Sequence, residues 1–387
     1  MNFDNTEIAF RHKSDKDLRR SKFLFGLLAF PWLVSLSKRM LLFAMRIKFP
    51  VNWIVKPTVY RQFVGGVSIM DCHKGVRLLE RFKVKAILDY SVEGGHDERQ
   101  IEATLQETLK TIENATTDPN IPFAVFKPTA FGNLEELQKI FEYPDSPFTG
   151  HPEIKKYICR VDLLCKSAFA AGIPIMIDAE DSWYQGFVDW VVTRMMQEYN
   201  KDKAIVFNTL QMYRYDRLEF LKESILQARQ GGYFYGVKFV RGAYMEKERQ
   251  RAELMGYPSP IHPDKDSTDK AFNDALTCSI ENIDMTHIFC GTHNEESCLR
   301  LIDLMKQKAL AMDDPRVWFS QLYGMGDQIS FNLAHEGYNV AKYLPYGPVK
   351  HVMPYLFRRA EENTSIAGQT GRELRLLTIE IKRRGSV

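Results

Sequence analysis

The chain has 387 residues, 45% hydrophobic and 12% aromatic, enough to bury a large core and too apolar for intrinsic disorder. Its 52 basic and 49 acidic residues leave a formal charge of +3, which lacks the basic excess of a dedicated nucleic-acid binder. Six cysteines (Cys72, Cys159, Cys165, Cys278, Cys290, Cys298) form no CxxC pair and no zinc-ligand spacing, so they read as reduced intracellular thiols with no metal site.

The N-terminal string MNFDNTEIAFRHKSDKDLRR is too acidic and too polar for a secretory signal. An apolar run follows at 23–34 (FLFGLLAFPWLV), but Pro31 interrupts it and it falls short of the ~20 residues of a spanning helix. Arg19, Arg20, Lys22, Lys38, Arg39, Arg46 and Lys48 flank it. Such a basic, amphipathic stretch either lies on an anionic bilayer or packs on its own domain. Residues 1–78 are expected to form a helical arm.

Eight short apolar runs come next, at 84–94, 122–132, 173–180, 204–211, 234–244, 287–294, 316–326 and 339–347. Near-continuous apolar strands belong to a parallel sheet covered on both faces. Between them, segments such as LKESILQARQGG and EESCLRLIDLMKQKAL carry apolar residues at helical spacing. An open doubly wound sheet holding a dinucleotide would need a glycine-rich phosphate loop, and neither GxGxxG nor GxxxxGK[ST] occurs. The expected fold is therefore an α/β (βα)₈ TIM-type barrel over residues 79–387, ending in a C-terminal helix.

Barrel enzymes keep their chemistry at the C-terminal ends of the strands. In this chain those ends carry Glu93, Lys127, Asp178 with Glu180, Gln211, Lys238 with Arg241, Thr292-His293-Asn294, Gln321, and Tyr343 with Tyr346. After the last strand, PYLFRRAEEN places Tyr355, Arg358, Arg359 and Glu362 on one helical face, with Pro354 either opening that helix or kinking one begun at Pro348. Lys127 is a lysine in an apolar strand, so it either reaches solvent or meets an anion. Asp178 is either functional or the structural ion partner of Lys127. Paired guanidinium forks at Arg358 and Arg359 suit a carboxylate. His293 is either a satisfied buried histidine or a ligand sharing a metal with Asp178 and Glu180, although no second histidine stands at a strand end. The VRGAY turn offers backbone N–H groups to a phosphate. These residues fit a small carboxylate substrate and an anionic cofactor.

Longer strings carry a resemblance. DYSVEG, GVKFVRGAYMEKER with GYPSPIHP downstream, GTHNEES, QLYGMGDQIS and YLPYGPVKHVMPYLFRRAEENTS resemble the proline dehydrogenase family, in the family's order from about residue 84 to 366. The likeness is to the stand-alone, mitochondrial-like branch. It implies a barrel holding FAD non-covalently that oxidises L-proline to Δ1-pyrroline-5-carboxylate and passes electrons to a membrane quinone. By motif, Lys127, Arg358 and Arg359 resemble the clamp on the proline carboxylate, and Asp178 the aspartate that orders that lysine. Tyr343, Tyr355 and Leu322 resemble pocket walls, and Glu93 the acid that closes the pocket. For FAD the resemblance implies Ala179, Gln211, Lys238 beside the hydride-accepting nitrogen, the Arg241-Gly242-Ala243 turn, and Thr292 with His293. The bifunctional branch has arginine in place of Lys238 and tryptophan in place of Met245. The location implied is peripheral, on a bacterial or mitochondrial inner membrane. Three alternatives stand beside this reading: a hydroxyproline-oxidising member of the family, a Schiff-base aldolase using Lys127 or Lys238, and a non-catalytic membrane scaffold. Retention of Tyr343 speaks against the first of these.

Overall fold

The computed structural model describes residues 1–47, 49–91, 97–141, 150–365 and 367–385. All eight expected strands form: β1 (Lys85–Tyr90), β2 (Ala124–Phe126), β3 (Ile175–Ile177), β4 (Val206–Gln211), β5 (Tyr235–Val240), β6 (Thr286–Gly291), β7 (Val317–Leu322) and β8 (Val340–Tyr346). They make one sheet in the order β1-β8-β7-β6-β5-β4-β3-β2, with β2 to β8 each beside the next in sequence and β1 beside β8. This is the order of a (βα)₈ barrel, nearly closed, with β1 beside β8. Every described pairing between strands is parallel, as near-continuous apolar strands require. Strands β4 and β8 are buried along their whole lengths.

The strands are shorter than the apolar runs that announce them. The run at 122–132 gives only three strand residues, because Pro128 has no N–H to donate and opens a short 3₁₀ turn, Pro128–Phe131. Lys127 is left in extended conformation at the junction. Helices follow the strands where the spacing predicts them, among them Arg217–Gly231 after β4 and Glu295–Gln307 after β6.

The chain divides into two compact units, Met1–Ser91 with Gln321–Val387, and Val92–Ser320. In the second, Phe123 ahead of β2 meets Phe207, Phe289 and Trp318 edge-on at 5.7, 5.2 and 5.3 Å, an arrangement that aligns ring edges with ring faces. In the first unit, helix Asp15–Leu28 is capped by Ser14, whose hydroxyl accepts the Asp17 N–H at 3.2 Å. That helix buries Leu18, Leu24, Phe25 and Leu28 in a cluster with Phe10, Phe63, Met353, Leu356 and Leu377. Helix Pro31–Arg46 follows with Pro31 in its first turn. The two helices meet at 92°, and no single described helix is long and apolar enough to cross a membrane.

Candidate active site

In the unit Val92–Ser320, loops beyond β2 and β3 are tied together. Glu180 accepts both the Thr129 N–H (3.0 Å) and the Thr129 hydroxyl (2.9 Å), and the Asp178 N–H donates to the Phe126 carbonyl at 3.0 Å. Lys127 stands at this junction, 9% exposed. From β5, Lys238 donates to Asp178 Oδ1 at 2.5 Å, with side-chain exposures of 7% and 16%. Lys238 is thus an ion partner of Asp178 that sequence spacing did not single out. Two strand positions explain it, since β3 and β5 both flank β4 in the sheet. A charge-assisted pair of this kind offsets the cost of removing both groups from water.

Beyond β5, the Arg241 guanidinium is fixed on three sides. Its Nε donates to Asp269 Oδ1 (2.6 Å), Nη1 to the Thr292 hydroxyl (2.6 Å) and Nη2 to the Ser297 hydroxyl (3.0 Å), while its carbon lies 4.5 Å from the Phe272 ring centre. Burial works against ionised Asp269, but Lys265 and Arg241 outweigh it and lower its pKa. Gly242 follows at φ 126°, and a Cβ there would meet the Tyr213 ring at 2.6 Å, so only glycine fits this turn. The Tyr213 hydroxyl donates to Gln211 Oε1 at 3.3 Å, and Gln211 Nε2 donates to the Ala179 carbonyl at 3.4 Å. Thus Ala179, Gln211, Arg241, Gly242 and Thr292 form one connected wall, with Ala243 exposed beside it and His293 half-buried.

The unit Met1–Ser91 with Gln321–Val387 carries the other expected residues. Leu322 ends β7 and is half-buried. Tyr343, in β8 opposite Ile87 of β1, is 6% exposed. Helix Val349–Ser365 begins just after Pro348 and runs through Pro354. Tyr355, Arg358, Arg359 and Glu362 share a face of it, as their spacing requires. The Arg359 guanidinium lies 5.3 Å from the Tyr355 ring centre and pairs with Glu362 one turn on. Burial raises the Glu362 pKa, an effect opposed by Arg359 and Arg358. The Tyr355 hydroxyl is buried with no hydrogen-bond partner among the described residues, a polar atom left for a bound molecule. Glu93 lies outside the described residues. Among the described residues no group of three or more His, Cys, Asp or Glu side chains could hold a metal ion.

Sequence reasoning missed Asp269 and Tyr213, which orient Arg241 and Gln211. Asp269 sits in the acid-rich string DKDSTDK, where nothing marks one acid from the others.

A family model for proline dehydrogenase matches residues 72–372. The chain belongs to the proline dehydrogenase family. Membership makes it an oxidoreductase of the proline dehydrogenase type. It is 35% identical over 322 residues to the carbapenem antibiotics biosynthesis protein CarD of Pectobacterium carotovorum, covering 83% of each chain. It is 38% identical over 346 residues to the mitochondrial proline dehydrogenase 1 of Drosophila melanogaster, covering 83% of this chain and 48% of that one. The chain thus spans about half the length of this mitochondrial relative. Among solved structures, proline utilization A from Bdellovibrio bacteriovorus superposes with a TM-score of 0.73 at 19% identity, over 97% of this chain and 38% of that one. That likeness is one of fold, and it agrees with the strand order.

Proposed function

We propose that this member of the family oxidises L-proline to Δ1-pyrroline-5-carboxylate, with FAD bound non-covalently and a quinone as the final acceptor. The observation that carries the reading is the part-buried pair of Lys238, within β5, and Asp178, just beyond β3, in a chain whose family match covers residues 72–372. Arg359 stacked near Tyr355, Arg358 beside it, and Lys127 are assigned to the substrate carboxylate. Charged hydrogen bonds are worth about 1.5–3 kcal/mol each, so three cations supply most of the affinity for so small an acid. Holding the carboxylate fixes the ring, and orientation of this kind removes much of the barrier. Tyr343, Tyr355 and Leu322 are assigned to the walls that exclude water, and Glu93 to closing the pocket.

The donor set fits an anionic cofactor. Arg241 is held rigid, the Gly242 turn leaves its backbone bare, and Lys238 is a buried cation on the strand before them. Ala179, Gln211, Lys238, Arg241, Gly242, Ala243, Thr292 and His293 would hold FAD. When bound, FAD supplies the acceptor for the hydride and its two electrons. Lys238 stabilises the negative charge that arrives, and Asp178 keeps that ammonium in place. Proline reacts as the neutral amine: its nitrogen lone pair forms the C=N bond as the hydride leaves the adjacent ring carbon, and the remaining N–H proton goes to solvent.

The protein is expected to be yellow when purified, and anaerobic L-proline is expected to bleach its flavin absorbance. A colourless protein, or one whose spectrum ignores proline, would overturn the reading. Arg359→Met is expected to raise KM for proline about ten- to a hundredfold while flavin content holds. Unchanged KM in a folded variant would remove Arg359 from the clamp.

Contact with a bilayer is proposed for helix Pro31–Arg46, on an inner membrane of a bacterium or a mitochondrion. None of its residues is fully buried, and Trp32, Leu36, Met40 and Phe43 lie exposed along one face. Val34, Leu41, Ala44 and Met45 turn towards the unit's own core. With Lys38, Arg39 and Arg46 on the same helix, the outer face suits an anionic lipid surface. Trp32→Glu with Phe43→Glu is expected to abolish cosedimentation with anionic vesicles; retained binding would place the contact elsewhere.

A further inference from the structure

A second group of buried charges lies in the unit Met1–Ser91 with Gln321–Val387, and the proposed chemistry makes no use of it. Asp327, the first residue of helix Asp327–Glu336, is 2% exposed and faces two lysines and a histidine. Its Oδ1 stands 2.7 Å from the Lys342 ammonium of β8, and its Oδ2 stands 3.1 Å from Lys13 and 3.4 Å from His12 Nε2. Burial would raise the Asp327 pKa, but Lys13 and Lys342 hold it well below the usual carboxylate range. Burial depresses His12 further than Asp327 can restore, so its imidazole is neutral and packs flat on Phe331 at 4.0 Å.

The arrangement grips one stretch of backbone, the turn Leu322–Gly326 between β7 and that helix. Lys342 donates to the Met325 carbonyl at 2.6 Å and the Leu322 carbonyl at 3.4 Å. Gln62 donates to the Gly324 carbonyl at 2.8 Å, and the Gly326 N–H donates to Glu373 at 3.4 Å. Gly324 sits at φ 78°, where a Cβ would lie 1.9 Å from the Gln62 carbonyl oxygen, so the turn and its neighbour are pressed together. The Tyr323 N–H donates to the Tyr343 carbonyl at 2.8 Å. The first two residues of the turn therefore join residues assigned above to the substrate: Leu322 is one itself, and Tyr323 bonds to Tyr343. Adjacent strand residues point to opposite faces, so Lys342 works from behind the sheet while Tyr343 faces the other way.

The segment that brings Lys13 is itself locked. Arg384 donates to the Lys13 carbonyl at 2.8 Å and to the Phe10 carbonyl at 2.9 Å. Burying this many charges costs more than an apolar plug would, so anchoring alone does not account for them. A carboxylate bridging two ammonium groups does something apolar packing cannot: it fixes the loop's direction as well as its depth.

We propose that Lys13 and Lys342 are positioning residues for proline binding, acting through Asp327 on the Leu322–Gly326 turn, so that an N-terminal segment contributing no pocket residue sets the shape of the pocket. The inference rests on the proline-oxidising reading given above.

The test uses the full-length, FAD-loaded protein and compares Lys13→Met with Lys13→Arg. The methionine variant is expected to raise KM for proline about ten- to a hundredfold, with kcat changed much less and flavin occupancy intact. Arginine, which restores the charge, is expected to return most of that loss. A Lys13→Met protein that melts earlier yet keeps its KM, or an equal loss in both variants, would reduce the cluster to a structural anchor and overturn the proposal. Gln62→Ala removes one hydrogen bond to the same turn, and a smaller rise in KM is expected; unchanged KM there, should Lys13→Met fail to fold, counts against the proposal. Wild-type protein inert toward proline sinks the functional reading instead. In that event, amide exchange at Tyr323–Met325 still judges the grip on the turn: it should quicken in Lys13→Met and not in Lys13→Arg.

Discussion

Two lysines on barrel strands each face one aspartate, and their surroundings differ. Lys238 on β5 meets Asp178, whose side chain keeps 16% of its surface open and which carries the residues assigned to flavin beside it. Lys342 on β8 meets Asp327, 3% open, which also receives Lys13 and His12. The same ion pair thus serves two ends. Where the acid stays accessible, the pair can respond to a ligand's charge; where a second lysine and a neutral histidine seal it, it can only hold backbone. Access separates the lysine assigned to the flavin from the one that grips backbone, and it is not visible in the residue type.

The contrast can be broken from either side. The largest effect is expected at the sealed pair: Asp327→Asn leaves buried cations without their counter-charge and should cost about 3–5 kcal/mol, read from urea denaturation midpoints. A variant as stable as the parent would mean the cluster is open to water. Lys238→Met is expected to lower kcat by about a hundred- to a thousandfold, the loss typical of removing a group aimed at developing charge, with little change in stability. If stability fell while turnover held, the roles of the two lysines would be exchanged.

The smallest effect concerns Glu373, which shares the sealed cluster. Burial, with Asp327 adding to it, pushes its carboxyl up to about 7. An unfolded glutamate titrates near ~4.3, so between the two values the folded chain holds the extra proton, and stability falls as pH rises through that window. Glu373→Gln is expected to flatten this slope, measured as urea midpoints at about pH 5 and about pH 8. An unaltered slope would show that another group carries it.

Much of the barrel was legible because its strands are runs of apolar residues with helical spacing between them. Strand ends were less so: Pro128 halted β2 early, and the register that sets Lys238 against Asp178 emerges only when strands pair. The face shared by Tyr355, Arg358, Arg359 and Glu362 was readable from helical spacing alone. Lys342 was not singled out, although the signal that marked Lys127, a lone lysine in an apolar strand, is present in VAKYLPY as well. Asp327 was hidden in GMGDQIS, where the glycines read only as a tight turn. Least legible was the N-terminal string, whose polarity argued only against a secretory signal. His12 and Lys13 are polar there because they answer a charge more than three hundred residues away.

That separation bears on how the chain is made. Phe10–Lys13 leaves the ribosome more than three hundred residues before Asp327 and the Arg384 that clamps its carbonyls. The unit Val92–Ser320 is contiguous and can condense during translation, as domains generally do. Its neighbour is built from two separated stretches, so Lys13 can meet Asp327 only after Val92–Ser320 has been synthesised. The grip on the Leu322–Gly326 turn can therefore close only after the contiguous unit has left the ribosome.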